Sequence, residues 1–171
     1  MGKWWIIAAL GALIVGGGVV ALVLTGVWPG PSAADRQRAR LLLVTAEEQN
    51  NAGDQEAALQ SLTDSIALAP QVEALRLRAS IYVARGAFDR AERDLDQLVS
   101  QSRGSALAAD YSLRCWLRAR GDQLERARED CDRALEIDPA LASAFGNRGL
   151  VGLRQRWYRE AWEDFNAALQ N

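Results

Sequence analysis

The sequence of 171 residues contains no histidine, a single lysine and only two cysteines. Without histidine, the chain lacks the commonest general base and the commonest metal ligand of proteins. The one lysine, Lys3, leaves no Schiff-base candidate in the rest of the chain. Two cysteines without histidine cannot complete a structural zinc site. We therefore expect no enzymatic activity, no catalytic residues, no cofactor, no metal and no small-molecule substrate.

An excess of charge of one sign is also missing. The 20 basic and 22 acidic residues give a formal net charge of −2, so no basic field favours a nucleic-acid partner. Almost all basic residues are arginine, a composition typical of GC-rich bacterial genomes. The apolar residues amount to 49% of the chain but are unevenly distributed along it.

One long apolar segment lies near the N-terminus. The 25 residues from Trp4 to Trp28 contain no charge, and as a helix they would extend about 37 Å. A hydrocarbon core of about 30 Å is therefore crossed with some tilt. We predict a transmembrane anchor over residues 1–28, with Trp4, Trp5 and Trp28 as interfacial anchors in contact with the lipid bilayer. A short Pro/Gly linker over residues 29–34 follows.

A cleaved signal peptide is the alternative interpretation of this segment. Ser32-Ala33-Ala34 would then be the small-residue cleavage site. Signal-peptide cores usually have about 7–15 apolar residues, so the greater length favours a retained anchor. Within the segment, small residues recur every four positions and would let a partner helix approach closely in the membrane. This membrane-partner face consists of Ala8, Ala12 and Gly16.

From about residue 33 onward, amphipathic helical phrases repeat. Four alanines lie 33, 36 and 34 residues apart, namely Ala58, Ala91, Ala127 and Ala161. Four residues after each alanine stands a larger side chain: Leu62, Leu95, Cys131 or Phe165. Glycines precede the first three alanines, and one extra residue between Gly121 and Ala127 distinguishes the third unit. Self-similarity at this period is typical of helical-hairpin repeats.

These residues resemble the signature of the tetratricopeptide repeat family. The last unit matches best, with Phe145, Gly149, Tyr158, Ala161, Phe165 and Ala168, and the earlier units contribute Ala58, Ala91 and Ala127. The resemblance implies an all-α solenoid of about four antiparallel hairpins, or eight helices, which binds proteins. The predicted repeat domain covers 35–171, with units near 39–71, 72–104, 105–141 and 142–171.

The two cysteines lie at equal distances from a predicted hairpin turn. Cys115 and Cys131 are each eight residues from Gln123, which places them at the same height on facing helices. Their Cα atoms could then approach the separation of roughly 4.4–6.8 Å that a disulfide requires. The alternative is a pair of small buried thiols. Both interpretations remain open from the sequence.

Two further surfaces follow from the pattern. Trp157 and Trp162 exceed the usual packing needs of a terminal hairpin, so we predict that they form a partner or self-association surface. The acidic residues Asp89, Glu92, Asp94 and Asp96 alternate with Arg90 and Arg93, and we interpret them as intrahelical pairs on a solvated face.

Topology rests on two arguments that conflict. Arg36, Arg38 and Arg40 follow the span and favour a cytoplasmic domain, whereas a short tail with one lysine is common when the domain is exported. We expect a single-pass protein of the inner membrane whose repeats face the periplasm. The predicted function is a scaffold or adaptor, an accessory or assembly subunit of a membrane protein complex. The alternative is a soluble periplasmic co-chaperone that binds extended client peptides.

Overall fold

The computed structural model describes residues 30–101 and 107–171. Within these ranges all regular structure is α-helical and forms four antiparallel hairpins, hairpin 1 to hairpin 4 in chain order. The helices are α1 (Ala33–Asn51), α2 (Gln55–Leu68), α3 (Val72–Ala84), α4 (Phe88–Gln101), α5 (Ala108–Arg120), α6 (Leu124–Ile137), α7 (Ala142–Arg154) and α8 (Tyr158–Gln170). The predicted all-α hairpin architecture with eight helices is confirmed for this part of the chain.

The first helix begins inside the segment that the sequence predicted as linker. Ser32 caps α1, because its Oγ accepts a hydrogen bond from the Asp35 backbone N–H at 3.1 Å. The Asp35 carboxylate in turn accepts from the Ser32 backbone N–H at 3.1 Å, which completes a capping box. The hydrogen bonds from Ser32 lower the pKa of Asp35. Local polar chemistry therefore fixes the start of the helical domain.

Each hairpin turns through one residue with positive φ. These residues are Gly53 (84°), Gly86 (71°), Asp122 (62°) and Arg156 (64°). Each stands five positions before a repeat alanine, so the four turns share one register. The extra residue predicted between Gly121 and Ala127 is thus wrong: Asp122 occupies the turn position that glycine fills in hairpins 1 and 2, and Gly121 is the C-cap of α5.

The hairpins stack in sequence order. The second helix of each hairpin contacts the first helix of the next, as α2 does with α3 and α6 with α7. First helices also contact each other across hairpins, α1 with α3 and α5 with α7. The first helices therefore form the inner layer of the solenoid, and the second helices form its outer layer.

No helix in residues 30–101 or 107–171 is both long enough and apolar enough to cross a membrane. The predicted anchor over 1–28 lies outside the described residues, as do its interfacial tryptophans Trp4, Trp5 and Trp28. The same is true of the small-residue face formed by Ala8, Ala12 and Gly16. These remain predictions.

Candidate interaction surface

The two helices of each hairpin meet through paired positions sixteen residues apart. In hairpin 4, a Cβ added to Gly149 would lie 2.8 Å from a ring carbon of Phe165, so glycine lets this ring approach the helix backbone. Hairpins 1 and 2 use fully buried alanine and leucine instead, Ala46 with Leu62 and Ala79 with Leu95. The paired positions therefore combine a small and a large side chain.

The residues that carried the family resemblance occupy consistent places. The repeat alanines are at most 1% exposed in all four hairpins, at Ala58, Ala91, Ala127 and Ala161. Phe145 packs beside Ala144 and Leu135, at the junction between hairpins 3 and 4. Ala168 is half-buried, whereas Tyr158 is largely exposed at the start of α8. The signature residues thus account for how the helices pack, and none of them indicates a catalytic or ligand-binding role.

Hairpin 3 fills its paired positions with the two cysteines. The structure joins Cys115 of α5 and Cys131 of α6 in a disulfide, with Cα atoms 5.4 Å apart. Both residues are fully buried beside Ala119, Ala127 and Val151, and Val151 belongs to hairpin 4. The disulfide therefore replaces the small-and-large pair of the other hairpins at the same place in the fold.

An arginine–aspartate pair recurs in hairpins 2, 3 and 4. In each, an arginine on the first helix makes a bidentate contact with an aspartate sixteen residues later on the second helix, at distances of 2.6–2.9 Å. The aspartates are buried, and the arginine side chains are 11–24% exposed. We call these pairs the arginine ladder: Arg78–Asp94, Arg114–Asp130 and Arg148–Asp164.

Each ladder arginine also reaches back to the preceding hairpin. Arg114 Nη1 donates to Asp96 of α4 at 2.9 Å, and Arg148 Nη1 donates to Asp132 of α6 at 2.8 Å. Arg78 Nη1 donates to the neutral Thr63 hydroxyl of α2 at 3.1 Å. One guanidinium therefore holds together its own hairpin and the junction with the previous one.

The ladder is densest between hairpins 2 and 3. Arg118 donates to Glu92 at 3.2 Å and to Asp96 at 2.8 Å, and it also donates to Asp130 at 2.9 Å. Asp130 thus accepts from both Arg114 and Arg118. In this network each buried charge has a partner of opposite sign. Burying the same charges without partners would cost a large free energy.

The guanidinium groups of the ladder have raised pKa values. A hydrogen bond to Asp164 raises the pKa of Arg148 although burial opposes it, and Asp94 does the same for Arg78. Burial is the largest influence on Arg114 and lowers its pKa, but the contacts with Asp130, together with the charges of Asp96 and Tyr111, outweigh it, so the net pKa is raised. The raised pKa of the arginines means that their contribution to stability is present at neutral pH and is lost as the pH rises through the raised pKa.

The interpretation of the acidic residues of α4 as intrahelical pairs is wrong for three of them. Asp94 binds Arg78 of α3, Asp96 binds two arginines of α5, and Glu92 binds Arg118. Helical spacing placed arginines nearby on α4 itself, but stacking of hairpins brings better-placed guanidinium groups from other helices. The signal that could have found the ladder is the recurrence of arginine at 78, 114 and 148, each followed by aspartate after sixteen residues.

Polar side chains connect the first helices of neighbouring hairpins. Arg76 of α3 forms a bidentate contact with the buried Asp110 of α5 at 2.7–2.9 Å. Farther along, the hydroxyls of Ser112 and Ser143 lie 2.9 Å apart, and the Asn147 amide donates to Ser112 at 3.0–3.1 Å. These contacts join neighbouring first helices to each other.

The structure does not bring the two predicted surface tryptophans into one environment. Trp157 stands at the turn before α8, where the guanidinium of Arg128 from α6 lies 4.5 Å from its ring centre. It therefore packs back against hairpin 3 and is 42% exposed. Trp162, in the second turn of α8, is 67% exposed. With Tyr158 and Leu169 it forms an apolar stripe at helical spacing on α8.

No protein-family model and no curated protein sequence matches this chain. Among solved structures, MamA superposes with a TM-score of 0.70 at 20% identity, over 80% of each chain. The first tetratricopeptide-repeat domain of Spaghetti (RPAP3), bound to the HSP90 peptide SRMEEVD, gives 0.64 at 24% identity, over 71% of this chain and 95% of that one.

A tetratricopeptide repeat protein from Parabacteroides merdae is also similar, with a TM-score of 0.68 at 21% identity over 78% of this chain and 53% of that chain. At these identities the similarity concerns the fold. The described part of the chain has the helical-hairpin solenoid fold of tetratricopeptide-repeat proteins.

Proposed function

We propose that the chain is a membrane-anchored, non-catalytic scaffold or adaptor for protein–protein interaction, and an accessory or assembly subunit of a membrane protein complex. The observation that carries this proposal is the connection of an uncharged segment of membrane-spanning length to a helical solenoid through residues 29–32 alone. Four residues reach at most about 14 Å. A retained anchor would therefore hold the repeats against the lipid headgroups, beside the soluble part of any membrane partner.

The capping box supports retention of the anchor. Ser32 supplies the cap of α1, and α1 already includes Ala33 and Ala34. Cleavage after Ala34 would remove this cap and the first two helical residues, and loss of an N-cap typically costs about 1 kcal/mol. A signal-peptide site would thus lie within folded structure, which favours the uncleaved form.

Mild-detergent affinity purification with crosslinking tests the proposal. We expect crosslinks from the anchor and from the repeats to the same membrane complex. Replacing Ala12 and Gly16 by leucine should abolish co-purification, because bulk on this face prevents close helix approach. Ala21→Leu is the matched control, since it lies on the opposite side of a helical wheel. Equal recovery with both variants, or crosslinks to soluble proteins alone, would contradict the proposal.

We further propose that the protein is a single-pass inner-membrane protein whose repeats face the periplasm. Support comes from the disulfide between Cys115 and Cys131, because disulfides persist in oxidising compartments. A C-terminal alkaline phosphatase fusion should be active in the periplasm. An inactive phosphatase fusion together with a fluorescent cytoplasmic reporter would place the repeats on the other side.

The alternative function is a soluble periplasmic co-chaperone that binds extended client peptides. The small residues Ser32-Ala33-Ala34 after the apolar segment are the feature that favours it. N-terminal sequencing of the mature protein separates the two functions. A mature terminus at Met1 or Gly2 supports the anchored scaffold, whereas Asp35 supports the soluble form.

A further inference from the structure

One face at the C-terminal end of the solenoid is apolar and exposed. Four side chains form this terminal face, and their exposed fractions are 43% for Leu153 of α7 and 63%, 67% and 86% for Tyr158, Trp162 and Leu169 of α8. Few soluble surfaces present so many adjacent large apolar groups without a binding role.

The same repeat positions are covered in the preceding hairpins. The position of Leu169 holds Ile66 in hairpin 1 and Leu135 in hairpin 3, and each is only 9% exposed. Leu135 packs against Ala144 and Phe145 of the next hairpin. The position of Leu153 holds Ala119 in hairpin 3, which is 1% exposed.

The aromatic positions follow the same rule. The position of Tyr158 holds Phe88 in hairpin 2, whose ring meets Trp116 of α5 edge-on at 5.6 Å between centroids. The position of Trp162 holds Glu92 in that hairpin, and Glu92 binds Arg118 of α5. In each case the neighbour is the first helix of the following hairpin. The terminal face is therefore the continuation of an interface that the chain already makes three times.

We propose that the terminal face binds an amphipathic helix of a partner protein. This proposal rests on the scaffold function and makes it more specific, because it identifies the binding surface and the kind of partner segment that binds there. The occupant is a helix because helices α3, α5 and α7 cover the equivalent faces of α2, α4 and α6.

The covering helices also define the chemistry of the partner. They place a large apolar residue, then an arginine three positions later, then an aliphatic residue after three more. The three examples are Leu75-Arg78-Ile81, Tyr111-Arg114-Leu117 and Phe145-Arg148-Val151. Two of the three have alanine just before the large residue, Ala74 and Ala144, both fully buried.

The basic residue of the partner helix has a counterpart on α8. Ladder arginines donate to the preceding hairpin at Thr63, Asp96 or Asp132. The same repeat position in hairpin 4 is Asn166, whose amide oxygen can accept a hydrogen bond from a guanidinium. The contact between Arg78 and Thr63 is the precedent for a neutral acceptor at this place.

A helical peptide of this pattern is the direct probe. Residues 71–85 contain Leu75, Arg78 and Ile81, and a hydrocarbon staple on the opposite face would compensate for the weak helicity of short peptides. Binding of the labelled peptide to the full chain in lipid nanodiscs is measured by fluorescence anisotropy, with empty nanodiscs as background. We expect saturable 1:1 binding, which is lost when Leu75 and Ile81 of the peptide are replaced by glutamate.

Variants of the chain locate the binding site. Trp162→Ala combined with Leu169→Ala should weaken binding by about tenfold or more, since a truncated apolar anchor at an interface costs at least about 1.4 kcal/mol. Leu41→Ala is the matched control, because Leu41 of α1 is 63% exposed at the other end of the solenoid. Circular dichroism verifies that the variants fold.

Three results would overturn the proposal. They are equal binding by the wild-type chain and the double variant, equal binding of the glutamate peptide, or a concentration-dependent dimer that the double variant abolishes, which would assign the face to a second copy. Failure of the scaffold function is separable from these results. It would appear as loss of membrane partners in the crosslinking experiment, whereas failure at the terminal face alone leaves that co-purification intact in the double variant.

Discussion

Reduction of the Cys115–Cys131 disulfide should destabilise the solenoid strongly. The bond connects α5 and α6 across the turn of hairpin 3, with a sequence separation of 16 residues. In the chain-entropy description, a loop of about 15 residues contributes about 3 kcal/mol to the free energy of unfolding. For a domain of this size, that corresponds to a fall of roughly 10 °C in Tm.

The packing around the bond adds a second contribution that can be measured separately. Hairpins 1, 2 and 4 fill the equivalent space with a small and a large side chain, whereas two cysteines are both of modest size. Cys115→Ala with Cys131→Leu reproduces the pair found in hairpin 2 and removes the cross-link. Cys115→Ala with Cys131→Ala removes the cross-link and also leaves a cavity, which should cost about 2 kcal/mol more.

Guanidinium denaturation followed by circular dichroism measures these differences on the full chain in mild detergent. We expect stability to decrease from the oxidised protein to the alanine–leucine variant and again to the alanine–alanine variant. Mass spectrometry, in which reduction adds two hydrogens, verifies the state of the bond. Equal denaturation midpoints for the oxidised and reduced proteins would refute the reasoning, because the disulfide would then contribute nothing to the free energy of unfolding.

Five other substitutions test the packing, the turns and the ladder, each by the change in denaturation midpoint. Gly149→Ala should destabilise by about 1–3 kcal/mol, because the added methyl overlaps the half-buried ring of Phe165; an unchanged midpoint would contradict this. Arg156→Gly should stabilise by up to about 1 kcal/mol by relieving positive φ, whereas Gly86→Ala should destabilise by a similar amount. Asp130→Ala should cost about 3 kcal/mol, since two largely buried arginines each lose one acidic partner, and Glu163→Ala, at the exposed pair with Arg159, less than about 1 kcal/mol.

The sequence predicts the helical hairpins because their packing depends on local periodicity. The spacing of Ala58, Ala91, Ala127 and Ala161 determines the repeat, and the prolines after Leu68 and Ile137 mark where α2 and α6 end. The third turn was misread because glycine was expected at the positive-φ position. Aspartate also tolerates that conformation, so Asp122 takes the place and Gly121 does not.

The arginine ladder could not be predicted from helical spacing alone. Its members lie on different helices. Judged from the sequence alone, a charged partner on the same helix fits the i, i+4 spacing equally well. Which aspartate receives Arg114 depends on how hairpins 2 and 3 stack, a tertiary property. The symmetric spacing of the cysteines was informative because two residues at equal distances from a hairpin turn lie opposite each other on the facing helices.

The ladder has a consequence for how such a chain can grow or be recombined. Hairpin 3 supplies both halves of the junction chemistry: Arg114 reaches back to an aspartate, and Asp132 receives the arginine that follows. A tandem duplication of this hairpin would place a new Arg114 opposite the Asp132 of the original copy, so this ladder contact would form without further mutation, whereas a new Arg118 would face Arg128 in place of Glu92. Hairpin 1 has Thr45 at the ladder position and could not serve as such an insert. The charges that join neighbouring hairpins therefore also determine which hairpin can be duplicated within the solenoid.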